Sequence, residues 1–346
     1  MHMADALISP VVGGAMWAAT AGVAAYSIKK VQSDIDQKKV PLMGVMGAFI
    51  FAAQMINFSI PGTGSSGHLG GGLILAILLG PYAGFLTMAS ILTIQALFFA
   101  DGGLLALGAN IFNLGFFTCF LAYPLIYKKI IGREFSAKRI MIASMVSAIV
   151  GLQLGAFGVV LETVLSGKTE LPFKAFVLLM QPIHLAIGIV EGLVTAAVVS
   201  FVWRARPEIL KKVSLNQPFG NLSIKKVMIG LAVMAVFTGA VLSWFASSHP
   251  DGLEWSMFKA SGREELESSD RAHEKLVALQ EKTAFLPDYG FKASRNEAQT
   301  EEQSEKWPAV SGGSTVSGLV GGSMTLLLTA FMGFVINMKN KTGKKT

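Results

Sequence analysis

Residues 173–203 read FKAFVLLMQPIHLAIGIVEGLVTAAVVSFVW, 31 residues in which the only ionisable side chains are Lys174, His184 and Glu191. A helix crosses the hydrocarbon core of a bilayer in roughly 20 apolar residues, so this segment is long enough to span it. Outward from it, further apolar runs cover 11–28, 41–56, 69–79, 82–100, 104–127, 140–164, 227–247 and 315–338, making nine segments. The shortest, 69–79, begins in glycines and is cut from its successor by Gly80-Pro81. Proline there ends one helix and opens the next, so 69–100 is expected as a tight helical hairpin. Composition agrees with a lipid solvent. The chain is 52% hydrophobic and 15% charged, with a mean hydropathy of +0.54, whereas a soluble domain is about 25% charged. Its 37 glycines and 16 methionines suit helices whose backbones approach closely. A soluble enzyme, a disordered chain and a collagen-like chain are excluded. The single cysteine, Cys119, lies in an apolar run and forms neither an intramolecular disulfide nor a thiolate zinc cage. The expected fold class is an all-α polytopic membrane protein.

The basic residues set the expected orientation. Loops 29–39 and 128–139, segment 204–226 and the tail after 338 hold 19 of the 29 lysines and arginines. With nine spans these four stretches fall on one side, which the positive-inside rule makes cytoplasmic. The N-terminus and segment 248–314 are then extracytoplasmic. That segment carries 13 acidic and 8 basic residues, so the basic charge of the chain is an orientation signal and not a nucleic-acid patch. Residues 1–203 are expected as a seven-span unit and 204–226, with Pro207 and Pro218, as a basic cytoplasmic linker. Residues 227–346 are expected as a two-helix hairpin around the external insert 248–314.

The amino terminus, Met1-His2-Met3-Ala4-Asp5-Ala6-Leu7-Ile8-Ser9-Pro10, has no basic residue before Lys29, unlike a cleaved signal peptide. A retained helix is expected, with Ser9 as N-cap and Pro10 as first helical residue. A kept Met1-His2 start has a specific chemistry. The Met1 amine, the His2 backbone nitrogen and the His2 imidazole close adjacent five- and six-membered chelate rings, and square-planar nitrogen sites suit nickel(II) and copper(II). A fourth nitrogen stands in the glycine-rich, charge-free loop 60–72, which holds His68 at the opening of a helix. Irregular backbone folds inward at membrane depth only where protein or a cavity encloses it. Taken singly, His2 is an accident beside a start codon and His68 a lone loop histidine. Their placement on one side of the bilayer favours a shared site.

Several motifs together resemble the substrate-binding (S) component of nickel/cobalt energy-coupling factor (ECF) transporters, the CbiM/NikM type. They are the Met1-His2 start, Pro61-Gly62-Thr63-Gly64-Ser65-Ser66-Gly67-His68-Leu69, Gln95-Ala96-Leu97, Asp101-Gly102-Gly103-Leu104 with Leu107 to Asn113, and His184 to Gly192. Pro250-Asp251-Gly252-Leu253-Glu254 is similar to the signature of the PDGLE partner (CbiN/NikN-like), here fused. The resemblance implies a seven-helix S unit with an inserted N-terminus. The metal, Ni2+ or Co2+ as transported substrate, would be held by the Met1 amine, the His2 amide and imidazole, and the His68 ring. The usual family start is Met-His-Ile-Pro-Asp-Gly; here Met3, Ala4 and Ala6 depart from it and Asp5 is kept. The resemblance also implies a transmembrane coupling (T) subunit and cytoplasmic ABC-type ATPases as partners, and residence in the cell membrane.

Asp101, Glu162, His184 and Glu191 lie in or beside apolar spans, where ionisable groups are costly and mark function. His184 and Glu191, seven residues apart, share one helix face. Asp101, His184 and Glu191, with the polar Gln95 and Asn110, are expected to orient ligands or join helices; Asn113 belongs with them as interhelical glue. His249 and His273 are expected as solvated surface residues of the insert. Gly167-Lys168-Thr169 is only a fragment of a phosphate loop, because position 162 is Glu162 and not the first glycine that pattern needs. With no ATPase in the chain, two rivals stand beside an ATP-driven importer subunit. One is an ion-coupled secondary transporter using His184 and Glu191 as a proton relay; the other is a membrane scaffold without substrate.

Overall fold

The computed structural model describes residues 2–34, 39–132, 134–263, 266, 270–292 and 307–342. Each of the nine apolar runs contains a helix. Six helices are long and apolar enough to cross a membrane: α1 (Pro10–Asp34), α4 (Pro81–Phe99), α5 (Leu107–Ile131), α6 (Ala137–Leu165), α7 (Phe173–Ala205) and the last, α12 (Gly312–Thr342). The others are shorter. They are α2 (Lys39–Gln54), α3 (Gly72–Leu79) and α9 (Lys225–Ala240), with α8 (Pro207–Ser214) in the basic linker. Most of α5 is wound as a π-helix, Phe112–Tyr127. Pro10 begins α1 as expected, with Ser9 Oγ accepting from Val12 N–H at 3.4 Å. Gly80, at φ +87°, breaks α3 from α4, and Pro81 takes the first turn of α4.

The all-helical expectation is amended in one place. Residues Phe58–Ile60 (β1) and Ser65–Gly67 (β2) pair antiparallel in a small hairpin. Its turn passes through Gly62 and Gly64, both at positive φ (76° and 74°), which glycine adopts without a Cβ penalty. Sequence periodicity misses strands of three residues.

The C-terminal hairpin docks on the larger unit through small residues, the usual device for helix contacts in lipid. Helix α12 lies along α2, where a Cβ on Gly47 would stand 3.0 Å from Thr325 Cγ2. Helices α9 and α12 meet at Gly239 and Gly318, whose backbones leave no room for a side chain. The segment between them folds into α10 (Gly252–Ser261) and α11 (Arg271–Thr283), which lie against α7 and α4. Among its described residues one side of the segment is thus packed on the rest of the chain, while most of α11 stays exposed. His273, expected at the surface, is 2% exposed; its Nε2–H donates to the carbonyls of Asp5 (2.9 Å) and Ile8 (3.0 Å). A histidine that donates to carbonyls at the end of a short 3-10 turn has a bonding reason to be inside.

Candidate metal centre

Residues 2–9 are threaded into the protein. Asn110 of α5 grips Met3 from both sides: its Oδ1 accepts from Met3 N–H (2.8 Å) and its Nδ2 donates to Met3 O (3.1 Å). Gly103 N–H donates to the same carbonyl at 2.9 Å. Asp5, buried, accepts from Ala106 N–H at 3.0 Å. A Cβ on Gly103 would collide with Asp5, so the Asp101-Gly102-Gly103 turn is glycine-rich because another strand of backbone passes through it. Burial raises the Asp5 carboxyl, and the backbone N–H of Ala106 opposes this.

This clasp delivers His2 beside His68. The two rings stack with centroids 4.8 Å apart and planes 24° from parallel. His2 Nδ1–H donates to Asp101 Oδ1 (2.7 Å), while its Nε2 is buried without a hydrogen-bond partner. Asp101 Oδ2 accepts from the Tyr289 hydroxyl at 2.5 Å. Burial alone would raise Asp101; the His2 ring and the hydroxyl of Tyr289 overcome it and hold the carboxyl down at about 2. Asp101 is thus a carboxylate that orients His2.

His68 sits in a buried tract, 65–71, four residues before α3 rather than at its opening. Its Nδ1–H donates to Leu69 O at 3.0 Å, which leaves Nε2 as the deprotonated nitrogen, the form a metal needs. Burial first, then the nearby His2 ring, lower its pKa to about 3. The tract is held by Glu191 of α7, whose Oε2 and Oε1 accept from the N–H groups of Gly70 (2.7 Å) and Gly71 (3.0 Å). A carboxylate there caps the N-terminus of α3, where the helix dipole favours negative charge. Gln95 donates to Gln54 (3.0 Å), and Gln54 donates to Gly70 O (2.8 Å).

The expected site residues therefore sort as follows. His2 and His68 are brought together, Asp101 bonds His2, and Asn110 holds the backbone next to it. Glu191 and, through Gln54, Gln95 hold the His68 tract. His184 shares a buried face with Glu191 and lines a small cavity with His68, bonding only the Met180 carbonyl through Nδ1 (2.8 Å). Asn113 donates to Glu162 at 2.8 Å, a pairing apart from the others. Met1 lies outside the described residues. Among the described residues no three His, Cys, Asp or Glu side chains form a ready cage. Sequence reasoning missed Gln54 and Tyr289. The first carries the signal used for Gln95, a polar residue ending an apolar run; the second has none, since its importance arises from a contact 188 residues distant in sequence.

Removing the Glu191 clasp is expected to loosen His68. In Glu191→Ala, two buried N–H groups lose their acceptor, at about 1–3 kcal/mol each. We expect nickel affinity to fall about 10–100-fold, and thermal stability to drop; Glu191→Gln, keeping one acceptor oxygen, should fall between. Metal titration and thermal melting of the purified variants check this; equal affinities in all three would contradict it.

The chain matches one family. The model for the cobalt uptake substrate-specific transmembrane region, CbiM, matches residues 2–209, and the PDGLE domain matches residues 225–338. The chain belongs to the CbiM family, a multi-pass membrane protein of nickel/cobalt transport with a fused PDGLE domain. A relative from Archaeoglobus fulgidus that carries the name of a fused nickel transport protein, NikMN, is 37% identical over 240 residues, covering 69% of this chain and 77% of its own. The fused nickel transport protein NikMN of Rhodobacter capsulatus is 32% identical, over 61% of this chain and 64% of its own. A crystal structure of a truncated transition metal transporter superposes with a TM-score of 0.53 at 32% identity, over 59% of this chain and 99% of that one.

Proposed function

We propose that the chain captures Ni2+ or Co2+ outside the cell membrane as the substrate-specific component of an ATP-driven ECF-type importer. The stacking of His2 on His68, with the intervening backbone clasped by Asn110, is the observation that carries this reading. The Met1 amine, the His2 amide and imidazole, and His68 Nε2 supply four nitrogens in a plane, a set that suits nickel and admits cobalt. The chelate would use His2 Nδ1, the nitrogen that here bonds Asp101, so that hydrogen bond is given up when the metal is held. Residues 1–203 form the seven-span S unit and 227–346 the two-span unit. The N-terminus is extracytoplasmic and the C-terminus cytoplasmic, as the basic loops dictate. Separate T and ATPase subunits supply the energy. Coupling to an ion gradient through His184 and Glu191 is disfavoured because both Glu191 oxygens are engaged by backbone N–H groups.

Uptake of nickel by cells making this chain with and without the coupling and ATPase subunits tests the reading; equal uphill uptake in both would overturn it. The ligand set also fixes a pH dependence. Protons compete with the metal, so affinity drops as pH falls. His68, depressed to about 3, is already neutral across the working range and does not contribute. The Met1 ammonium and the His2 amide each release a proton on binding. Below the usual α-amino pKa of about 8 the affinity should fall about 100-fold per pH unit, and above it about tenfold. Isothermal titration across pH 6–9, on the order of one unit per step, reads the slope; pH-independent affinity would contradict the four-nitrogen set.

A further inference from the structure

The Pro250-Asp251-Gly252-Leu253-Glu254 segment comes from the C-terminal unit, yet it reaches His68. It pairs with the His68 hairpin as a parallel bridge between Ser66 and Asp251. Ser66 N–H donates to Pro250 O (2.8 Å), and Ser66 Oγ–H donates to His249 O (2.7 Å). Gly252 lies against α7, where a Cβ would strike Ile183 and approach His184 Cε1 at 3.5 Å. Leu253 is buried, at 2% exposure. Glu254 closes a capping box: its Oε2 accepts from Asp251 N–H at 3.0 Å, while Asp251 Oδ1 accepts from Leu253 (2.7 Å) and Glu254 (2.9 Å). Each residue of the segment thus helps to fix one carboxylate in one orientation.

That orientation sets Asp251 Oδ2 3.9 Å from His68 Nε2, the atom assigned to the metal. Two donors at right angles on one cation, each about 2.1 Å from it, stand about 3 Å apart, so an inward shift of about 1 Å brings Asp251 onto the ion that His68 holds. Beside them lies a cavity of about 10 Å³ lined by His68, Asp251, Gly252 and His184, room for about one water-sized occupant. His184 Nε2 is buried there without a hydrogen-bond partner. Capping alone does not call for a carboxylate, since Ser, Thr and Asn cap a helix as well as or nearly as well as Asp. What they lack is a second, charged oxygen. A buried dication requires compensating negative charge, and the nitrogen set provides only that of the His2 amide.

The geometry points to Asp251 as a fifth ligand, an oxygen donated by the C-terminal unit to the ion held by Met1, His2 and His68. The inference rests on the four-nitrogen reading above and adds a consequence for specificity. A planar nitrogen set rewards nickel most; an oxygen out of that plane benefits cobalt more, because cobalt has less to lose by leaving planar geometry. The fused unit therefore broadens the site toward cobalt.

Asp251→Asn and Asp251→Ser both keep a helix cap, so the fold is preserved while the charged oxygen is lost. The full chain in detergent micelles is titrated with Ni2+ and with Co2+ against a chromogenic chelator, and the visible absorption of bound Co2+ is recorded. We expect one ion per chain in both variants, affinity lowered about 10–100-fold, a larger loss for Co2+ than for Ni2+, and shifted Co2+ bands. Wild-type affinities for both metals would overturn the inference. So would weakened binding with unshifted bands, which would make Asp251 a distant counter-charge. Failure of the underlying reading has a different signature, wild-type binding by His68→Ala.

Discussion

Acetylation of the Met1 amine is expected to abolish tight nickel binding by this protein. The five-membered chelate ring needs a primary amine one residue before the His2 amide; acetylation turns that amine into a second amide and leaves no free amine at the terminus. Loss of the ring is expected to weaken binding by at least about a thousandfold, or ~4 kcal/mol at ~1.4 kcal/mol per tenfold. The effect should be confined to the metal. Met3 and Asp5 remain anchored by Asn110, Gly103 and Ala106, so the helical content and melting temperature of the acetylated chain should match the original. Metal content after gel filtration, measured by atomic absorption, gives the answer directly. Full occupancy of the acetylated chain would remove the Met1 amine from the ligand set.

Replacing His68 by alanine is the second large effect. Outer-shell partners of metal ligands typically cost about 10–100-fold when removed; loss of one of the four proposed nitrogen ligands should exceed that range and reduce uptake to background. The tract around it is held by Glu191 and Gln54 through the backbone of Gly70 and Gly71, and by Ser66 bonded to His249 and Pro250. The variant should therefore fold. A scaffold without substrate would be indifferent to this change, so wild-type nickel uptake by His68→Ala would favour that rival. Together the two changes separate the main-chain half of the site from its side-chain half.

Much of this arrangement is legible before any coordinates are seen. Apolar runs of the right length identify the helices, because each backbone polar group in lipid must be bonded within its own segment. Gly80-Pro81 marks the break between α3 and α4 for reasons local to those two residues. The proposed Met1-His2 chelate is drawn from the covalent spacing of three nitrogens. His184 and Glu191 are visible as a shared face because helical periodicity carries over seven residues. In each case the cause lies within a few residues of its effect.

Segment 248–314 is the opposite case. Its acidic, polar composition describes a solvated insert, yet α10 packs on α7 and α11 on α4, and His273 is buried against the carbonyls of Asp5 and Ile8. Nothing local to His273 announces two acceptors more than 260 residues earlier. The same holds for Tyr289 on Asp101 and for Asp251 beside His68. Covalent spacing and hydrophobic period therefore dictate which segments enter the bilayer and which nitrogens can chelate. Which carboxylate, hydroxyl or ring stands next to those nitrogens depends on helices packing through small residues at Gly47, Gly239 and Gly318, since van der Waals fit between distant segments leaves no periodic trace along the chain.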